Sequence, residues 1–174
     1  MMGKTVHSLV TSGRLQFHKS GENLTIDGPR RFAKLGISFQ YPDNWTLDEE
    51  DARAGRMSVT VYSPGGAFWS IAIHPHSADP AGLAEAAVEA MRQEYADIEV
   101  EEVRETLAGH EMIGCDLHFY YLDLTNTAQI RCVRANRATY SVFFQAEDRE
   151  FDQIYRVFQA MTVSFLGELG NSTS

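Results

Sequence analysis

Four consecutive segments between residues 98 and 145 have the alternating apolar pattern of β-strands, and only short connections separate them. They are IEVEEVRET (98–106), MIGCDLHFYYL (112–122), AQIRCVRA (128–135) and ATYSVFFQ (138–145). Short connections place consecutive strands side by side in opposite directions, whereas a parallel crossover needs a dozen or more residues. The sequence therefore predicts an antiparallel meander, with turns near residues 123–126 and at Asn136-Arg137.

Further strands are predicted upstream of this meander. GISFQY (36–41) is a short strand, and 57–63 with 67–74 form a hairpin around the Ser-Pro-Gly-Gly turn. In that turn Pro64 suits the second position, and Gly65 suits the third, where φ is positive. The alternation of the first hairpin strand directs Met57, Val59 and Val61 inward and Ser58, Thr60 and Tyr62 outward.

Two helices complete the pattern. Residues 79–95 begin with Asp79 as N-cap and Pro80 as the first helical residue, and residues 148–165 form the second helix. The first helix has an apolar stripe of Leu83, Ala86, Ala87, Ala90, Met91 and Tyr95. The second has a stripe of Phe151, Ile154, Tyr155, Phe158, Met161 and Phe165. Residues 46–56 are acidic and polar and are predicted to form a loop.

These elements predict an α+β fold: an antiparallel sheet of about six to seven strands with a helix on each face, a three-layer α/β/α sandwich. Residues 36–166 form one domain in this interpretation. Residues 1–35 are an N-terminal arm or hairpin, with a possible turn at Ser20-Gly21-Glu22-Asn23 inside 14–27, and residues 167–174 are a polar tail.

The charge balance limits the classes of partner. The 174 residues contain 15 Lys plus Arg against 24 Asp plus Glu, a net charge of −9. Nucleic acid and anionic membrane surfaces are repelled by this balance. No apolar run approaches the roughly 20 residues that span a bilayer, and no leader pattern or lipidation cysteine occurs near residue 1. A cytoplasmic protein is expected.

The stretch GISFQYPDNW (36–45) resembles the opening signature of PsbP-like and DcrB-like domains, in which a strand ends in aromatic-Pro and a Trp follows two residues later. Phe39, Tyr41, Pro42 and Trp45 fill those places. The Ser164-Phe165 pair is similar to the end of the last helix in that family. The resemblance covers about 36–165 and implies the PsbP-like α/β/α sandwich, which photosystem II PsbP shares with a Ran-binding nuclear-import factor.

The same resemblance implies a non-enzymatic role as an adaptor, assembly factor or chaperone that binds a protein partner. Three aromatic residues are the predicted partner contacts: Trp45, Tyr62 and Trp69. For Trp45 a structural role is the alternative. Pro42 ends the strand because it cannot donate to a β-ladder, and Trp45 then folds back over the corner of the sheet.

A small-ligand or metal-binding protein is the alternative function. His74 and His76 flank Pro75 just before a helix, and imidazole nitrogens bind Zn²⁺ or Cu²⁺ when further ligands join them. Asp79 is close in sequence, and His118 is a further candidate for the same site. A solvated loop is the other interpretation of this histidine pair.

Enzymatic activity has little support in the sequence. His110-Glu111 and the trio of Asp116, His118 and Tyr120 on one strand face are acid/base candidates, but neither a nucleophile motif nor a phosphate-binding glycine loop occurs. No cofactor is expected. Cys115 and Cys132 are predicted to lie diagonally on one face of neighbouring strands, as buried thiols or as a redox pair.

Overall fold

The computed structural model describes residues 6–11, 14–19 and 28–170, and side chains within 28–170. Its strands are β1 Val6–Thr11, β2 Arg14–Lys19, β3 Arg30–Lys34, β4 Ile37–Tyr41, β5 Thr46–Asp48, β6 Ser58–Tyr62, β7 Phe68–Pro75, β8 Glu99–Leu107, β9 His110–Tyr121, β10 Leu124–Arg134 and β11 Ala138–Glu147. Its helices are α1 Glu50–Arg53, α2 Pro80–Glu94 and α3 Asp148–Gly170.

Seven strands pair into one antiparallel sheet in the order β5-β6-β7-β11-β10-β9-β8. The meander predicted from the sequence forms β8 to β11, and the hairpin predicted upstream forms β6 and β7. Separate two-stranded pairs are formed by β1 with β2 and by β3 with β4. The predicted α+β class and antiparallel sheet are confirmed.

The two long helices pack on opposite faces of this sheet, as the alternation along β11 shows. Tyr140, Val142 and Phe144 belong to the larger core with α3, β3 and β4, whereas Phe143 packs against the smaller core under α2. The larger core is centred on Trp69, Phe39 and Phe158. A sheet buried on both faces explains why β11 carries apolar residues on each of its faces.

Helix α2 begins as predicted, with Asp79 Oδ2 accepting a hydrogen bond from the backbone N–H of Gly82 at 3.0 Å. Its buried face consists of Ala84, Val88 and Met91, with Leu83, Ala87 and Tyr95 at the margin. Ala86 and Ala90 of the predicted stripe are exposed, because the helix is rotated toward Ala84 and Val88. Helix α3 keeps its predicted stripe and continues to Gly170, so the expected polar tail begins within the helix.

Three local predictions were wrong. The segment 46–56 is not wholly a loop, since it contains β5 and α1. In the turn after β6, the residue with positive φ is Gly66, at 96°, and not Gly65 as predicted. The N–H of Gly66 bonds Ser63 O, so Pro64 and Gly65 are the central residues of the turn and Gly66, which follows them, adopts the left-handed conformation. Met57 is 45% exposed and precedes β6, outside the sheet alternation.

The N-terminal region gives a mixed result. Strand β2 pairs with β1, while the predicted turn at 20–23 lies outside the described residues. Strand β3 falls within the range assigned to an arm, yet it pairs with β4 and places Phe32 in the larger core. Phe32 stacks on Phe39 at 5.1 Å between ring centroids.

Candidate functional site

The two tryptophans predicted as partner contacts are core residues. Trp69 is fully buried, and its indole packs 4.8 Å from the ring of Phe39. Trp45 is buried too, with its backbone N–H bonded to Pro42 O at 3.1 Å and its ring edge-on to Phe158. Burial leaves neither side chain a surface for a partner, which corrects that prediction. The structural role considered for Trp45 is the one observed.

Tyr62 is the exposed member of the predicted trio. Its ring lies 5.9 Å from that of Phe68, which in turn stacks 5.8 Å from Phe143 on the α2 side of the sheet. Tyr62 therefore remains a predicted contact residue, supported by two half-buried aromatic neighbours.

The histidines proposed for a metal site do not converge. His74 lies on the α2 side, where its Nε2 is 2.8 Å from Ser141 Oγ, and burial lowers its pKa. His118 lies on the α3 side, because its partners on both neighbouring strands face α3. His76 is exposed beyond the end of β7. Within residues 28–170, no three His, Cys, Asp or Glu side chains are grouped so that they could hold a metal ion.

The cysteine prediction is confirmed in its geometry. Cys115 pairs with Ile130, and Cys132 pairs with Ile113, so the two cysteines are diagonal neighbours beneath α2. Both are free and buried. Burial raises the pKa of the Cys132 thiol to about 12 and also raises that of Cys115. These are properties of packed thiols, since a reactive cysteine needs a lowered pKa.

A surface that sequence analysis did not identify lies beside α3. The helix packs over β10 and β11, and the neighbouring strands present a row of acidic side chains toward the same side. We call this surface the acidic face, and its carboxylates are Glu99, Glu101, Glu105, Asp116 and Asp148. Glu99 and Glu101 are exposed, and the others are partly exposed. The strand register places them together: Glu99 pairs with His118 and Glu101 with Asp116.

Arg131 holds the inner border of the acidic face. Its guanidinium is only 4% exposed and donates to Glu105 Oε1 at 2.6 Å through Nε and to Asp116 Oδ1 at 2.7 Å through Nη2. Burial by itself lowers the pKa of Arg131, but the two carboxylates outweigh it and raise the pKa. Its cross-strand partner is Gly114, where a Cβ would lie 1.7 Å from Ile130 O, so only glycine allows the two strands to approach this closely. Arg131 thus fixes two carboxylates in place.

His118 belongs to a second polar chain on this face. Its Nδ1 lies 3.1 Å from Thr127 Oγ1, and that hydroxyl donates to Asp148 Oδ1 at 2.8 Å. A hydroxyl that donates to the carboxylate accepts from Nδ1–H, so Nε2 is the acceptor of the neutral ring. The partner of His118 is therefore Thr127 and not Asp116, the acid/base candidate on the same strand face.

The six ionic groups of this region, five carboxylates and the guanidinium of Arg131, carry a net charge of −4. The cleft where the acidic face meets α3 is lined by Glu105, Gln129, Arg131, Tyr155 and Gln159 and is about the size of one water molecule. Such a cleft is too small for an organic substrate. The surface is suited to contact with cationic side chains of a macromolecule.

The β9–β10 hairpin ends next to the acidic face. Its two-residue turn is Leu122-Asp123, one or two residues earlier than the turn predicted at 123–126. Tyr120, on the strand just before it, is 68% exposed and continues the row of Asp116 and His118.

In residues 28–170 no helix is long and apolar enough to cross a bilayer.

The fold matches several solved structures over nearly their whole length. Cyanobacterial PsbP (CyanoP) of Synechocystis sp. PCC 6803 is similar with a TM-score of 0.56 and 15% identity, over 84% of this chain and 96% of that one. The Ran-binding protein Mog1p of Saccharomyces cerevisiae gives 0.50 and 10%, over 79% and 94%. A Pseudomonas aeruginosa protein of unknown function, PA94, a putative regulator, gives 0.51 and 10%, over 79% and 95%.

These likenesses establish the class of protein: an α+β domain with the PsbP-like fold, as the Pro42 to Trp45 stretch indicated. No protein-family model matches the sequence. No curated protein matches it either. At 10–15% identity the solved structures show the fold alone.

Proposed function

We propose that this protein is a non-enzymatic binding module whose acidic face docks a protein partner through the partner's Lys and Arg side chains. The observation that carries the proposal is the ordered cluster of carboxylates on an open sheet surface. A buried arginine positions two of them and a Thr–His chain positions a third. Side chains fixed before binding lose little entropy when a partner arrives.

The fold supports this function by analogy. Mog1p, which has the same fold, is by name a Ran-binding protein. The acidic face lies on β8 and β9 beside α3, where Glu99 and Glu101 are exposed and accessible to a partner. The net charge of −9 attracts a basic partner and accelerates its encounter at low ionic strength.

The test is affinity capture from native lysate with three forms of the protein. Glu99→Lys with Glu101→Lys reverses the exposed part of the acidic face. Glu85→Lys with Glu89→Lys makes the same charge change on the exposed side of α2 and is the matched control. We expect one protein to be enriched on the wild type and on the α2 variant and to be lost from the acidic-face variant.

Two further measurements refine this test: the salt dependence of binding and the effect of Tyr62→Ala. Raising the salt concentration should weaken the complex, because exposed charge pairs are screened. A Tyr62→Ala variant examines the contact predicted from the sequence, on the other side of the sheet. If the partner is lost from Tyr62→Ala and retained by the acidic-face variant, the binding surface is the aromatic one and the proposal is wrong.

A further inference from the structure

The tip of the β9–β10 hairpin, residues 120–124, concentrates exposed apolar side chains. Six large hydrophobic residues of 28–170 are exposed, and four of them are in this tip: Tyr120, Tyr121, Leu122 and Leu124. Leu122 is the most exposed, at 76%. Single exposed apolar residues are ordinary, whereas a contiguous group on a protruding element is typical of an interaction site.

The backbone of the tip is unfavourable for its residues. Three two-residue hairpin turns in 28–170 have positive φ at both positions, and two of them use glycine at the second: Leu35-Gly36 and Ala108-Gly109. The third is Leu122-Asp123, with φ of 48° and 61° and no glycine. A left-handed conformation is costly for leucine, and Asn-Gly is the favoured sequence for such a turn. Stability alone does not account for Leu122 at this position.

Aromatic contacts pack the base of the tip against the end of α2. Tyr121 makes an edge-on contact with Tyr95 at the end of α2, with ring centroids 5.8 Å apart, and Tyr95 packs 4.5 Å from Phe119. These contacts hold the hairpin end in one direction and leave Leu122 projecting from it. A preformed apolar knob of this kind loses little conformational entropy on insertion into a pocket.

The charges near the tip indicate what it enters. Asp123 lies in the turn itself. Glu99 is near the tip because its cross-strand partner, His118, is two residues before Tyr120. Asp97 precedes β8 at the same end of the sheet. Carboxylates around an apolar knob repel an anionic lipid surface. They complement an apolar pocket whose rim carries Lys or Arg.

We propose that residues 120–124 are the apolar anchor of the interface formed by the acidic face, and that Leu122 inserts into an apolar pocket with a basic rim on the protein partner. This inference rests on the proposed function. Tyr120 connects the two parts, because it extends the acidic face toward the tip. The acidic face would then supply orientation and the tip would supply buried apolar area, the usual division between the rim and the core of an interface.

The test places a photoreactive benzoylphenylalanine at position 122, in cells that produce the chain. The matched control carries it at position 108, in the exposed turn at the other end of β9. We expect an adduct with another protein from position 122 that is absent from position 108. The adduct should map to a site that has large apolar residues with Lys or Arg nearby. An adduct with lipid, an adduct with a second copy of this chain, or no adduct above the control would each overturn the inference.

A turn variant separates the anchor from folding. Leu122→Asn with Asp123→Gly installs the favoured turn sequence and removes the apolar knob. We expect it to unfold at a higher temperature than the wild type and to bind the adduct-forming partner at least tenfold more weakly. Unchanged binding would overturn the anchor. If the Glu99→Lys, Glu101→Lys variant then loses the partner, the proposed function stands without the anchor; if it too binds normally, both are wrong.

Discussion

The indole Nε1–H of Trp69 donates a hydrogen bond to Thr162 Oγ1 at 3.1 Å, in the interior between the sheet and α3. The same hydroxyl donates to Phe158 O at 2.9 Å, so both polar groups are satisfied. The bond joins residues 93 positions apart in the chain and fixes α3 over the centre of the sheet.

Thr162→Val keeps the shape of the side chain and leaves the buried indole N–H without an acceptor. We expect the free energy of unfolding to fall by about 1–3 kcal/mol, the cost of an unsatisfied buried donor. Thr106→Val, at an exposed position of β8, should change it by less than about 0.5 kcal/mol. Urea denaturation of both variants measures the difference, and equal stabilities would show that the Trp69 bond contributes nothing.

Arg131→Met removes the guanidinium that joins Glu105 to Asp116. The two carboxylates are partly exposed, so water compensates in part, and we expect a loss of about 1–3 kcal/mol in unfolding free energy. Arg104→Met breaks the exposed pair with Glu111 and should cost under about 1 kcal/mol. If urea denaturation gave Arg131→Met the same free energy of unfolding as the wild type, Arg131 would not hold the two carboxylates in place.

The cysteines should be unreactive in the native protein. Burial raises the pKa of Cys132 to about 12, so very little of the reactive thiolate forms at pH 8, and burial also blocks access. We expect Ellman's reagent to titrate two thiols in urea and almost none in native buffer over the same time. Rapid native reaction, or loss of both thiols under mild oxidation, would instead favour the redox pair considered from the sequence.

His74 should make the free energy of unfolding fall as the pH falls below the ordinary histidine pKa of 6.5. Burial lowers its folded-state pKa below the ordinary 6.5, so the unfolded chain takes up this proton first as the pH falls. The contribution of His74 to stability is therefore present above about pH 6.5 and is lost as the pH falls toward the folded-state pKa.

The check is urea denaturation of wild type, His74→Gln and His76→Gln at a series of pH values above and below 6.5. His74→Gln should flatten the decline in unfolding free energy with falling pH. His76→Gln, whose ring is exposed, should keep the wild-type slope. Identical slopes for the wild type and His74→Gln would show that the folded state leaves the protonation of His74 unperturbed.

Periodicity and turn chemistry were sufficient to predict most of the sheet. The sequence predicted a helix on each face of the sheet, and Tyr140 and Phe143 of β11 do lie in the two cores on opposite faces. Short-range chemistry at Asp79 located the start of α2. These features depend on neighbours within a few residues, which a sequence shows directly.

The candidate site could not be predicted from the sequence in the same way. Arg131 reaches Glu105 and Asp116, which are 26 and 15 positions away, and only the strand register brings the three together. Trp69 is of a residue type that is common at protein interfaces, but it is buried in the core. Its burial depends on the packing of β3, β4 and α3 over the sheet. Long-range packing decides such cases, and local patterns do not report it.

The most direct test of the proposed function is selection of a random peptide library on the immobilised wild-type protein. If the acidic face binds basic segments, the enriched peptides should contain an excess of Lys and Arg, and salt should weaken their binding. They should lose roughly tenfold or more in affinity for the Glu99→Lys, Glu101→Lys variant and keep their affinity for Glu85→Lys, Glu89→Lys. Enriched peptides without basic residues, or peptides that bind both variants equally, would contradict the claim that the acidic face is the binding surface.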